Sequence, residues 1–162
     1  MLSARSVFLT AFAATVCFSQ PKSCPVTKPP DPPFVPPAPY KSKPEGSAFY
    51  IGTAKLWTVV WKSPWVSLPM WKEGLRQHLP WWSEGYDGKA KPQPSLSISG
   101  RRLDGPALPM RTDDNANGGY IAGQPWFIMT GMNFPTTGCW EITGRYQAAE
   151  VKFVVWVGPL PE

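Results

Sequence analysis

The single histidine, the stretch "DDNANG" and a surplus of tryptophan are the features of this sequence that could carry chemistry. His78, in "LRQHLP", is the only histidine, so Ser–His–Asp or Cys–His catalysis would have to run through it. No nucleophile elbow surrounds it, and a solvated surface histidine is the expected role. "DDNANG" (113–118) matches the front half of a calcium loop, with Asp113, Asn115 and Asn117 at alternate positions and Gly118 at the turn. Gln124 stands at the twelfth position where a bidentate Glu would close such a site. Asp, Asn and Gly are also ordinary hairpin-loop residues. The expectation is a turn, with a weak structural calcium ion as the alternative and no cofactor.

Acid–base catalysis on a glycosidic bond needs two carboxyls about 5 to 9 Å apart across a cleft. Glu84 with Asp87, or Asp113 with Asp114, could supply them, but Glu84, Asp87 and Asp114 sit beside Gly or Asn as turn residues do. Met70, Met110, Met129 and Met132 with His78 offer soft ligands for Cu(I). Met129 and Met132 lie in an apolar run, however, where filling the core is the default. No catalytic residue is assigned. The reading is non-enzymatic, with a glycoside hydrolase-like activity as the alternative.

Tryptophan is the better candidate. Trp81 and Trp82 are adjacent, so in a strand they face opposite sides, and Trp65 and Trp71 lie in loop-like sequence nearby. Exposed indoles can stack on sugar rings. Trp65, Trp71, Trp81 and Trp82 are therefore the candidate ligand-binding set of a carbohydrate-binding module. Rings that seal the edges of a small core would look the same in sequence.

The elements that must hold these residues are strands. The chain has 162 residues, enough for one domain with a real core, and carries 21 Pro and 14 Gly, which break helices. Nine Trp, eight Phe and five Tyr suit a pleated, half-buried surface. The basic excess, 16 Lys and Arg against 11 Asp and Glu, is scattered, and its longest run is Arg101-Arg102. Nucleic-acid binders gather such charge on one face, so nucleic acid is not an expected partner.

The N-terminus reads as an export signal. Arg5 precedes the apolar run "VFLTAFAATV" (7–16), and small residues sit where a cut after Ser19 needs them. The run is too short to span a bilayer, and no later segment is long and apolar enough to do so. Lipidation of Cys17 is the alternative to its removal; bulky Val16 speaks against it. Residues 1–19 are then a signal peptide, 20–46 a proline-rich extended arm holding ten prolines between 21 and 44, and 47–162 the folded domain. The mature chain would start at Gln20 and keep two cysteines, Cys24 and Cys139. In an oxidising compartment these should pair.

Strands are expected at 48–51, 55–61, 80–84, 95–103, 125–132, 139–146 and 150–157, with a short helical turn over 71–79. About seven short strands without βαβ alternation point to an all-β, two-sheet antiparallel sandwich. Period-two alternation puts Val151, Phe153, Val155 and Val157 on one face, and Trp140, Ile142 and Tyr146 on the matching face of the preceding strand. Trp140 should enter the core and Cys139 should face outward. Val154 and Trp156 interrupt the polar face, so the arm, pinned by Cys24–Cys139, is expected to cover them.

"TTGCWEI" resembles the start of the penultimate strand of immunoglobulin-like sandwiches. Thr136, Gly138, Trp140 and Ile142 take the places of the acidic residue, the small residue, the corner Tyr and the inter-sheet Cys. Ile142 removes the usual inter-sheet bridge. The segments "PPFVPPAPY", "WWSEGYD", "GRRLDGPA" and "GCWEITG" are also similar to a family of exported bacterial proteins without an assigned activity. That resemblance implies export and a β fold, and no mechanism. The expected function is binding or support at the cell envelope, with an envelope protein or a glycan as partner.

Overall fold

The computed structural model describes residues 23–61, 65–66 and 75–158. The expected signal peptide (1–19) with Cys17, Met70, and residues 71–74 with Trp71 lie outside the described residues.

Among the described residues, ten strands form two sheets packed face to face. They are β1 (Phe49–Thr53), β2 (Leu56–Val60), β3 (Trp65–Val66), β4 (Leu75–Trp82) and β5 (Ser97–Arg102). The others are β6 (Arg111–Thr112), β7 (Asn117–Gly119), β8 (Phe127–Phe134), β9 (Gly138–Tyr146) and β10 (Ala149–Gly158). The larger sheet runs β1-β2-β4-β8-β6, with β7 also on β8; the smaller runs β3-β10-β9-β5. The fold is all-β, as composition indicates, and every pairing is antiparallel except β3 with β10.

Proline placement shapes this topology. Pro80 cannot donate from its nitrogen, and its carbonyl accepts the Thr58 hydroxyl at 2.8 Å. The ladder between β2 and β4 therefore ends at Thr58↔Trp81. Freed from β4, the chain after Val60 reaches the other sheet, where Trp65 and Val66 pair in parallel with Val157 and Gly158.

One expectation is corrected here. Residues 75–79 belong to β4, not to a helical turn. Leu75, Gln77, Leu79 and Trp81 alternate with Arg76, His78, Pro80 and Trp82, and β4 pairs with β8 from Leu75↔Phe134 to Trp81↔Ile128. Pairing along the whole run with β8, and burial of Leu79 beneath it, outweigh the helix-friendly composition of this run.

The core lies between the sheets. Leu79, Trp81, Ile128, Met132 and Phe134 of the larger sheet meet Trp140, Ile142, Phe153 and Val155 of the smaller. Trp140 is buried as its parity requires, and its indole N–H donates to the Thr136 carbonyl at 3.1 Å. β9 and β10 form the expected hairpin, closed through Gln147, whose φ of 53° suits a tight turn.

Cys24 and Cys139 form a disulfide, with Cα atoms 5.6 Å apart. It packs with Trp156, Val26, Leu103 and Val154 in a separate apolar cluster on the outer face of the smaller sheet. Three residues further on, the arm reaches the β10 edge. Thr27 N–H donates to the Val154 carbonyl at 2.9 Å, and Val154 N–H donates to the Thr27 hydroxyl at 2.8 Å. The arm thus covers Val154 and Trp156 and satisfies a strand edge that would otherwise be open.

Trp81 fits only because residue 144 is glycine: a Cβ there would collide with its indole. Gly144→Ala should cost about 1 to 3 kcal/mol through overpacking. Urea denaturation checks this, and an unchanged midpoint would mean that the indole has room to move.

Candidate functional site

The two outer faces have opposite characters. On the smaller sheet, Arg101 pairs with Glu141 at 3.0 Å and Arg145 with Glu150 at 2.6 Å. Those pairs and the disulfide cluster leave a polar, closed surface. On the larger sheet, register sends Tyr50 of β1, Trp57 and Val59 of β2, Pro80 and Trp82 of β4, and Phe127 of β8 outward. Trp57 and Trp82 stack with centroids 6.3 Å apart at 14°. Tyr50 meets Trp82 edge-on at 5.8 Å, and Phe127 lies 6.3 Å beyond. This is an aromatic row across four strands.

The arm turns the row into a groove. Having left the β10 edge, it lays Phe34 and Tyr40 on Trp57, with centroids at 6.0 and 4.7 Å. The Tyr40 hydroxyl donates to the Ser83 carbonyl at 2.9 Å. The groove so formed, ≈ 270 Å³, has a floor of Trp57, Trp82 and Val59 and walls that include Tyr40, Tyr50, Trp61 and Pro80. Lys41, Glu45 and Gln124 bring polar groups to its rim. Trp57 is buried beneath the arm, Trp82 is half-buried, and Trp61 is 39 % exposed.

Beyond Pro80 the same face becomes polar. Arg76 and His78 precede Pro80 on the outward side of β4. Between β6 and β7 the edge strand bulges, and residues 113–116 oppose only Thr130 and Gly131. The bulge sets Asp113 over Gly131, where a Cβ would meet its carboxylate. Asp113 Oδ1 binds the Arg76 guanidinium at 2.7 Å, and Oδ2 accepts Gly131 N–H at 2.9 Å. Arg76 Nε also donates to His78 Nε2 at 3.0 Å. That bond fixes Nδ1 of a neutral ring as the N–H position, on an exposed side chain.

The sequence-derived sites fare unevenly. Trp65 and Trp81 are 3 % and 0 % exposed, which corrects their assignment as ligand-stacking residues. Trp65 packs on Phe153 after the chain switches sheets, and Trp81 points inward against the same ring. Trp82 lines the groove, and Trp71 is outside the described residues. Tyr40, Tyr50, Trp57 and Trp61 were not anticipated there, although Trp57, Val59 and Trp61 share a parity that sequence displays. Cys24 and Cys139 pair as expected.

In "DDNANG", both Asp113 oxygens are occupied, and the Asn117 amide donates to the Asn115 carbonyl at 3.4 Å. Asn117 and Gly118 lie in β7, so the stretch is a bend running into a strand and not a simple turn. Among the described residues, no group of three or more His, Cys, Asp or Glu converges. Among the described residues the Met side chains do not gather either: Met132 points into the core, Met110 lies against Gly100, and Met129 faces outward on β8. Glu84 pairs with Lys55 at 3.6 Å, and Asp87 accepts Lys89 N–H at 2.8 Å, as turn carboxylates do.

Burial raises the pKa of both groove tyrosines above the ordinary phenol value. For Tyr40 the Gly85 N–H partly offsets burial and Glu84 adds to it; for Tyr50 Glu45 adds to it. A raised folded value means that the stability these phenols contribute is whole below about pH 10, their unfolded range. It is lost as pH climbs through the folded values. Stability should fall above that pH, and less steeply in the Tyr40→Phe, Tyr50→Phe double variant. Denaturation midpoints between pH 8 and 11 test this, and identical slopes would contradict it. Comparison of the chain with protein-family models, curated proteins and solved structures gave no match.

Proposed function

We propose that this is an exported, non-enzymatic binding protein of the cell envelope whose groove takes a sugar ring of a glycan. The observation that carries the proposal is the groove of Tyr40, Tyr50, Trp57 and Trp82 with Lys41, Glu45 and Gln124 at its rim. Pyranose rings present apolar C–H faces that pack on aromatic planes, and their hydroxyls need polar partners at the edge. Largely preformed apolar sites with a few convergent polar groups are the usual form of small-ligand sites. Binding is favoured over catalysis because the acids near the groove, Glu45 and Glu84, are paired with Lys41 and Lys55.

Export is supported by the Cys24–Cys139 disulfide, since such bonds persist in oxidising compartments. Among the described residues no helix is long and apolar enough to cross a membrane. An immunoglobulin-like reading is supported by the order of the strands. The chain from β2 to β3 switches sheets, and the smaller sheet keeps β5, β9 and β10 as neighbours. The Trp140 N–H bonds back to Thr136, four residues upstream, much as the corner tyrosine hydroxyl does in such sandwiches.

Titration of the mature protein with a panel of neutral and acidic hexasaccharides should quench tryptophan fluorescence for at least one member. Trp82→Ala should weaken that binding about tenfold or more, equivalent to about 1.4 kcal/mol, while the protein stays folded. Binding that survives Trp82→Ala would move the site elsewhere. Turnover of a bound sugar to shorter products would make the protein an enzyme.

A further inference from the structure

The polar end of the outer face lies next to the groove along β4, beyond Pro80, and its chemistry differs in kind. Along β4 the outward residues run Trp82, Pro80, His78, Arg76. From Trp82 to His78 is four residues, roughly 13 Å of extended strand, more than one sugar ring covers. Across the strands, Arg76 faces Asn133, and Asn133 faces Arg111. Gly131 leaves the surface beside His78 low, and only the Asp113–Arg76 pair rises over it.

The charges in this patch are unequal. Both oxygens of Asp113 are held, by Arg76 and by Gly131 N–H, while its neighbour Asp114 is exposed and makes no ion pair among the described residues. Arg111 is exposed and makes no ion pair among the described residues. His78 accepts from Arg76 at Nε2, so a neutral ring on this exposed side chain keeps Nδ1–H as its donor. The patch therefore presents a free guanidinium, an imidazole donor and an amide, and the carboxylate that lies over it, Asp113, is already satisfied. A charge-assisted bond to such a guanidinium is roughly twice as strong as a neutral one.

We infer that this patch is a second subsite for an acidic sugar ring, its carboxylate held by Arg111 and His78 while a neighbouring ring lies on Trp82. The inference rests on the groove being a glycan site and adds the ligand class, an acidic oligosaccharide in place of a neutral one. Asp113 and Arg76 position His78 and are not themselves contacts.

The test uses the mature protein and hexamers of galacturonate, of mannuronate and of hyaluronan, each compared with its own methyl ester by calorimetry. Esterification removes the charge and leaves the rings. At least one acid should bind about tenfold more tightly than its ester, and the preference should shrink in high salt, where exposed charges are screened. Arg111→Ala and His78→Ala, both at exposed positions, should each remove most of that preference and leave ester affinity unchanged. Trp82→Ala should weaken acid and ester alike.

Equal affinity for acid and ester, or a preference untouched by Arg111→Ala and His78→Ala, overturns the inference. If neutral hexasaccharides bind and no acid binds better, the groove reading stands and the acidic subsite falls. If no sugar of either kind binds, both fall.

Discussion

The covalent tie between Cys24 and Cys139, reinforced by the two hydrogen bonds of Thr27 to Val154, fixes where the proline-rich arm starts its course around the sandwich. The tie closes a loop with a sequence separation of 115. In the chain-entropy model, that span is worth about 4 to 5 kcal/mol, mostly through the unfolded state. Proline-rich chain makes few hydrogen bonds of its own and has little reason to settle on one path. Anchored at one face, it arrives at the opposite face with Phe34 and Tyr40 in reach of Trp57.

The groove depends on that arrival. Tyr40, Lys41, Pro44 and Glu45, all from the arm, form one side of it. Without them, Trp57 and Tyr50 would lie on an open sheet as an exposed apolar patch, prone to association. The arm therefore seals two weak points at once, the edge of β10 and the aromatic face of the larger sheet. It leaves Trp82 partly uncovered, so sealing is incomplete where a ligand ring would lie. Pro80, which ends the β2–β4 ladder, also marks the boundary between the aromatic and the polar halves of that face.

Much of this architecture is legible in the sequence because period-two alternation is a strong signal in β9 and β10. Trp140 inward, Cys139 outward and the arm over Val154 and Trp156 all follow from parity and from the leftover cysteine pair. The groove was harder to read for a physical reason. Adjacent tryptophans announce that one of Trp81 and Trp82 is outward, yet nothing local says which. The larger sheet's register decides it, through Thr58↔Trp81 and Trp81↔Ile128. Trp65 looked loop-borne because a two-residue strand carries no periodicity. It is buried only because the chain changes sheets there. The helical turn expected over 71–79 gives way to strand at 75–79: Arg, Gln, His and Leu carry no β preference of their own, and only the pairing with β8 decides the run. Tyr40 was invisible as a wall residue, since an extended arm can point anywhere until its anchor is known.

The central claim is that the disulfide-anchored arm is an integral wall of the binding face. Native-state hydrogen exchange, with the disulfide intact and after mild reduction, tests it most directly. With the bridge intact, the amides of Thr27 and Tyr40, which donate to Val154 and Pro37, should be protected. After reduction both should exchange freely, while core amides such as Phe153 in β10 keep their protection. Free exchange of Thr27 and Tyr40 in the oxidised protein, or protection indifferent to reduction, would contradict the account.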